Sequence, residues 1–106
     1  MTILNYTPHT VNIVNSGGEK IQDFPPMGEA RCRQTTKVIG NITGIPITSA
    51  TFGEVEGLPK EVEGTYYIVS RLIRQALPNR KDLLVPNELV RDEKGKIIGC
   101  KSLAEN

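Results

Sequence analysis

The segment Tyr66–Asn87, YYIVSRLIRQALPNRKDLLVPN, constrains this chain more than any other. Strand, cap, helix and strand signals follow one another in it without a gap. Tyr66, Tyr67, Ile68 and Val69 are aromatic or β-branched, the side chains that fit a pleated, buried surface. Ser70 stands at the position of an N-cap, where its hydroxyl can accept from the unpaired amides of a first helical turn. Leu72, Ile73, Ala76 and Leu77 then share one helical face, with Arg71, Arg74 and Gln75 on the other. Pro78 has no amide hydrogen and clashes with the preceding turn, so the predicted helix covers about 70–77. Leu83, Leu84 and Val85 read as a second short strand, closed by Pro86 and Asn87. Between Tyr66 and Arg91 there are five basic residues and two acidic ones. A strand–helix–strand unit with excess positive charge at its ends is a cradle for an anionic small molecule.

On either side the signals are those of a sheet. Ile3–Tyr6 and Thr10–Val14 read as strands about the kink Thr7-Pro8-His9. The turn Asn15-Ser16-Gly17-Gly18 leads back into Lys20–Asp23. Phe24–Gly28 is a loop, because two successive prolines cannot join a ladder. Glu29–Ile39 reads as a strand with one strongly polar face, and Gly40–Gly44 as a turn. Ile45-Pro46-Ile47 is expected at an edge or a pocket lip, and the glycine-rich Thr51–Pro59 as an ordered loop over the sheet. Glu88–Arg91 and Lys96–Cys100 form a last hairpin about Asp92–Gly95, and Lys101–Asn106 is expected to fray. The fold class is α+β: mostly antiparallel sheet, with one main helix packed on it.

Its 106 residues make a single domain. A chain this short buries only about 60–65% of its unfolded surface, so association would help it. A net charge of +1 argues against a binder of polymeric nucleic acid. Positive charge is nonetheless enriched late: residues 66–106 hold eight basic and five acidic side chains, against five and seven before them. Scattered, solvated charges would give the same counts. No signal peptide is visible at Met1–Asn5, and no apolar run nears the ~20 residues of a membrane span, so a cytosolic protein is expected. Cys32 and Cys100 fit separate, reduced thiols there. The sequons at Asn5 and Asn41 are then chemically silent.

Catalytic patterns are scarce. The single histidine, His9, reads as a turn residue or a hydrogen-bonded wall. With two distant cysteines it makes no metal site. Glu54, Glu56, Glu61 and Glu63 read as a solvated loop. No phosphate-cradling glycine loop or nucleophile elbow is present. The arginines say more, since a guanidinium donates two parallel hydrogen bonds to phosphate and keeps its proton. Arg31 and Arg33 share a strand face, Arg71 and Arg74 a helix face, and Arg80 and Arg91 lie near strand ends. Salt bridges at the surface would explain them equally well. Asn87 carries the donors and the acceptor needed to read an adenine edge, and Pro86 stands beside it. Tyr66, Tyr67 and Phe52 could stack on a base or simply pack.

The strings NYTPHTVNIV, FGEVEGLP and GTYYIVSRLIRQALPNRKDLLVPNELVRDEKGKIIGCKSL resemble a family of small phage proteins, the first-described type of Thoeris anti-defence protein. The resemblance runs from Asn5 to Leu103. It rests mainly on VSR, NRKDLLVPN, VRD and IGC in that order. It implies a binder without catalysis or cofactor: a sponge in the host cytoplasm. Such a sponge encloses the cyclic ADP-ribose isomer made by a bacterial TIR enzyme. Members of the family form homodimers that can join into hexamers. Some also hold cyclic trinucleotides of the CBASS pathway at a separate site, for which no residues are assigned here. Asn87 and Leu77 match positions that contact the signal, with leucine standing where an aromatic can stack on the base. Arg71, Arg74, Arg31, Arg91 and Pro86 complete the expected ligand-binding set. Two other readings stay open: a virion structural or interaction protein, and a nucleotide hydrolase using His9 and a glutamate.

Overall fold

The computed structural model describes residues 1–105. In chain order the elements are β1 (Thr2–Asn5), β2 (Val11–Val14), β3 (Lys20–Phe24), β4 (Arg31–Ile42), β5 (Ile45–Glu56), β6 (Thr65–Ile68), α1 (Arg71–Ala76), β7 (Leu83–Arg91) and β8 (Ile97–Ala104). Six strands form one sheet in the order β1-β6-β7-β8-β2-β3, and β4 pairs with β5 alone.

The strand–helix–strand unit forms as its residue pattern dictates. Ser70 Oγ accepts from the amide of Ile73 at 3.3 Å and caps the helix. The Leu77 amide closes the last turn on Ile73 at 3.1 Å. The helix is only six residues long and buries one side chain fully, Ile73. It is a connector between two parallel strands rather than the main helix of an α+β domain, so the structure is mostly β with one short helix. The sheet is also mixed: β1–β6, β6–β7 and β8–β2 are parallel, while β7–β8 and β2–β3 are antiparallel.

The sheet wraps. Beyond β3 the chain returns to the opposite edge, where Pro26 bridges Asn5 in parallel. There the Met27 amide donates to the Asn5 carbonyl at 2.8 Å and the Ala30 amide to the Tyr6 carbonyl at 3.0 Å. The strand alternation of β6 divides the core in two. Tyr67 and Val69 pack with Ile73, Leu83 and Val85, while Ile68 packs with Val11 and Cys100.

Three expectations along the chain need correction. Thr51–Glu56 is strand, not loop, and β4 runs through Gly40 to Ile42, so the turn narrows to Thr43-Gly44. Both strands belong to a two-stranded arm whose residues are almost all exposed. Proline and glycine are tolerated in such a ribbon because each strand has one open edge. Second, β7 continues through Pro86 and Asn87 to Arg91. Third, Lys101–Ala104 is ordered in β8 rather than frayed, and Asn106 lies outside the described residues. The arm gives the molecule a radius of gyration of 16.5 Å, against about 13 Å for a compact chain of this length.

Candidate functional site

An apolar depression opens where β6 leaves the sheet. The amides of Tyr67 and Val69 donate to the carbonyls of Asp82 and Leu84, each at 2.8 Å, so this side of β7 faces β6. Two residues on, Pro86 faces the same way, but β6 has already given way to Ser70 and the helix. Proline has no amide to leave unpaired there, which is why a strand can carry it at this position. The gap is a cleft of about 380 Å³, walled by Val69, Ser70 and Pro86 on one side and by Val11, Gly99 and Cys100 on another. That volume is within the range of small-molecule sites.

Thr7, His9 and Thr10 supply a further wall, and Asn5 fixes them in place. Its side chain is fully buried. Asn5 Nδ2 donates to the His9 carbonyl at 2.6 Å and the Phe24 carbonyl at 2.8 Å, while Oδ1 accepts from the Thr7 amide at 2.9 Å. The Thr7 hydroxyl, 2.6 Å away, has one hydrogen to give and completes the set. The sequence reading missed Asn5 as a determinant of the site. An asparagine at a strand end three residues before Pro8 was the available signal, since Asx side chains bond the backbone two residues on, here at Thr7.

No carboxylate lines the cleft. The described residues contain no cluster of three or more His, Cys, Asp or Glu side chains able to hold a metal. Burial pushes the Cys100 thiol above its ordinary range, which keeps it protonated and unreactive near neutrality.

The expected ligand-binding residues do not converge in one copy of the chain. Pro86 lines the cleft, and Asn87 follows it, half-buried and paired with Ser102. Arg71 and Arg74 line a second, cationic depression of about 280 Å³ with Gln75 and Pro78. Arg74 is engaged there, donating to the Leu77 carbonyl at 3.0 Å and to the Glu105 carbonyl. Arg71 is exposed and has no hydrogen-bond partner among the described residues. Leu77 caps the helix and packs against the core. Arg31 sits at the root of the arm, 3.0 Å from Glu29. Arg91 lies on a polar depression that also includes Lys101 and Glu88.

Two further groups serve the fold rather than a ligand. Tyr67 is buried edge-on to Tyr6, with ring centroids 5.3 Å apart, so it packs and does not present a face to a base. Arg80 grips Asp82 through two bonds of 2.9 and 2.6 Å and lies over the Tyr67 ring. The bond to Asp82 holds its proton still more firmly than usual. Comparison with family models, curated proteins and solved structures finds no match to this chain.

Proposed function

We propose that this protein is a non-catalytic binder that sequesters a cyclic ADP-ribose-type signal, the anti-defence role that its resemblance to the Thoeris family implies. One observation carries the reading beyond resemblance. Ser70 lines the apolar cleft and the very next residue, Arg71, lines the cationic depression. The two depressions share no lining residue, but they reach the chain at neighbouring positions whose α-carbons are about 3.8 Å apart, and in our reading the Arg71 guanidinium turns toward the cleft when ligand binds. A cyclic ADP-ribose isomer needs both: apolar walls for the base and a planar fork for the pyrophosphate. In this reading Pro86 and the Thr7–Thr10 loop hold the base, Arg71 holds phosphate, and Asn87 reads the base edge from the rim. The host cytoplasm is where such a sponge would act; no helix of the described residues is long and apolar enough to cross a membrane.

A sponge competing for sub-micromolar signal needs a nanomolar dissociation constant, about −12 kcal/mol. Calorimetry with cyclic ADP-ribose isomers should show such binding, and mass measurement after heat release should return the ligand intact. Arg71→Glu should weaken binding far more than Arg71→Ala, because it places like charge against phosphate. Absence of heat with every isomer, or release of a linear product, rules the reading out.

A further inference from the structure

The chain's one histidine, His9, stands in the wall of the cleft. Its backbone is held and its ring is not. Pro8 fixes the dihedral just before it, and the buried Asn5 donates to its carbonyl at 2.6 Å. The imidazole is exposed and has no hydrogen-bond partner among the described residues. Neither ring nitrogen is committed to the fold.

The walls that face it are uncharged. β2 contributes Val11 and Asn12, the β6–α1 junction Val69 and Ser70, and β7 and β8 apolar side chains and Cys100. Cys100 is the only other titratable group among the described lining residues, and burial keeps its thiol protonated. Arg71 lines the adjoining depression, while Glu88 and Arg91 belong to the polar depression that shares Leu89 with the cleft. An anion seated in the cleft thus leaves water for walls that offer hydroxyls and an amide but no fixed positive charge. Such burial is costly unless a cation pairs with the anion. An imidazole can become that cation, because histidine is the side chain that ordinarily changes charge between about pH 5 and 8.

We infer that His9 is a proton-coupled ligand contact, which takes up a proton as a pyrophosphate enters the cleft and donates an imidazolium N–H to a phosphate oxygen, a role that rests on the reading of this cleft as the site of a cyclic ADP-ribose-type signal. A pyrophosphate diester is already ionised at neutral pH, so the proton comes from solvent and stays on the ring. The bound anion favours the charged ring. By linkage, affinity for the ligand falls as pH rises and the free ring loses its proton. Arg71 keeps its charge throughout this range and cannot supply the slope.

Calorimetry with cyclic ADP-ribose isomers, in buffers of different ionisation heat at one ionic strength, counts the protons taken up. The native chain should take up a fraction of a proton per ligand near neutrality, and its affinity should fall about fivefold from pH 6 to pH 8. His9→Asn should abolish both effects and bind at the lower pH about as the native chain does at the higher. His9→Lys, charged throughout, should keep the tight binding and lose the slope. Both variants should keep the native unfolding temperature, since the ring is exposed and Asn5 grips only the His9 backbone. Uptake and slope that survive in His9→Asn overturn the proposal, because they then belong to the ligand or to another group. Native binding that takes up no proton also overturns it, and leaves the cleft reading standing. Absence of binding at every pH removes both.

Discussion

The wrapped sheet and the arm solve the same problem in opposite ways. Around β6 and β7 each strand has neighbours on both sides, and side chains are buried on both faces: Tyr67 and Val69 on one, Ile68 on the other. Polar groups taken inside are fully partnered, and no buried side-chain nitrogen or oxygen among the described residues lacks a hydrogen bond. Along β4 and β5 only the root is anchored, by Cys32 and Val55 against the core. Regular backbone pairing is equally long-lived in a ladder diagram, but stability comes from what the pairs bury. The body should therefore be sensitive to single changes where the arm is not.

The sharpest contrast is expected at Arg80. Arg80→Ala leaves the Asp82 carboxylate buried without its partner and should lower stability by about 3–5 kcal/mol, read from denaturant midpoints. A loss below 1 kcal/mol would mean water reaches Asp82 freely. Asn5→Ala strips the Thr7–Thr10 loop of its anchor, takes a donor from the Phe24 carbonyl and leaves the His9 carbonyl only the Thr7 hydroxyl at 2.9 Å. A loss of about 2–3 kcal/mol is expected, together with faster exchange of the Thr7 amide.

At the junction of the two regions, Gly57 has a φ of +82°, and a β-carbon there would come within 2.3 Å of the Glu29 carbonyl. Gly57→Ala should cost about 1–3 kcal/mol, unlike an alanine at exposed Gly44, whose strain is not compounded by a clash. The effect of Cys100 is smaller and depends on pH. Its folded pKa is raised, so above about 8.5, the ordinary thiol value, the unfolded chain gives up a proton that the native state retains. Stability should fall as pH rises through that window, by less than one proton's slope, and Cys100→Ala should abolish the dependence. Least of all, Ile39→Thr on the arm should shift the unfolding midpoint of the single chain by no more than about 0.5 kcal/mol.

What could be read from the residues divides along the same line. Around α1 the cap, the helix face and the flanking strands were legible because local preference and tertiary burial agree there. The turns at Asn15–Gly18 and Asp92–Gly95 were legible for the same reason: Asn15 Oδ1 accepts from the Gly17 and Glu19 amides, and Asp92 Oδ1 from those of Lys94 and Lys96. The arm was not, because Pro46 and Gly53 look like breakers unless both outer edges are known to be free. The parallel pairings β1–β6 and β2–β8 were hidden too, since they join strands far apart in sequence. Of the proposed site, Pro86 and Arg71, which line two different depressions, were singled out by residue type. The cleft itself was not, because it depends on β6 ending while β7 continues, and Asn5 was passed over as one residue of a short strand.

That separation along the sequence also dictates when the body can assemble. Asn12 meets Ile98 across 86 positions, in a parallel pairing that no local turn can nucleate. A ribosome must release nearly the whole polypeptide before β2 gains its β8 neighbour, whereas the β4–β5 hairpin can zip as soon as it emerges. Nascent chains thus display the exposed β4–β5 ribbon well before the six-stranded sheet is complete. Premature termination ahead of Ile97 should accordingly yield inclusion bodies rather than a smaller working domain.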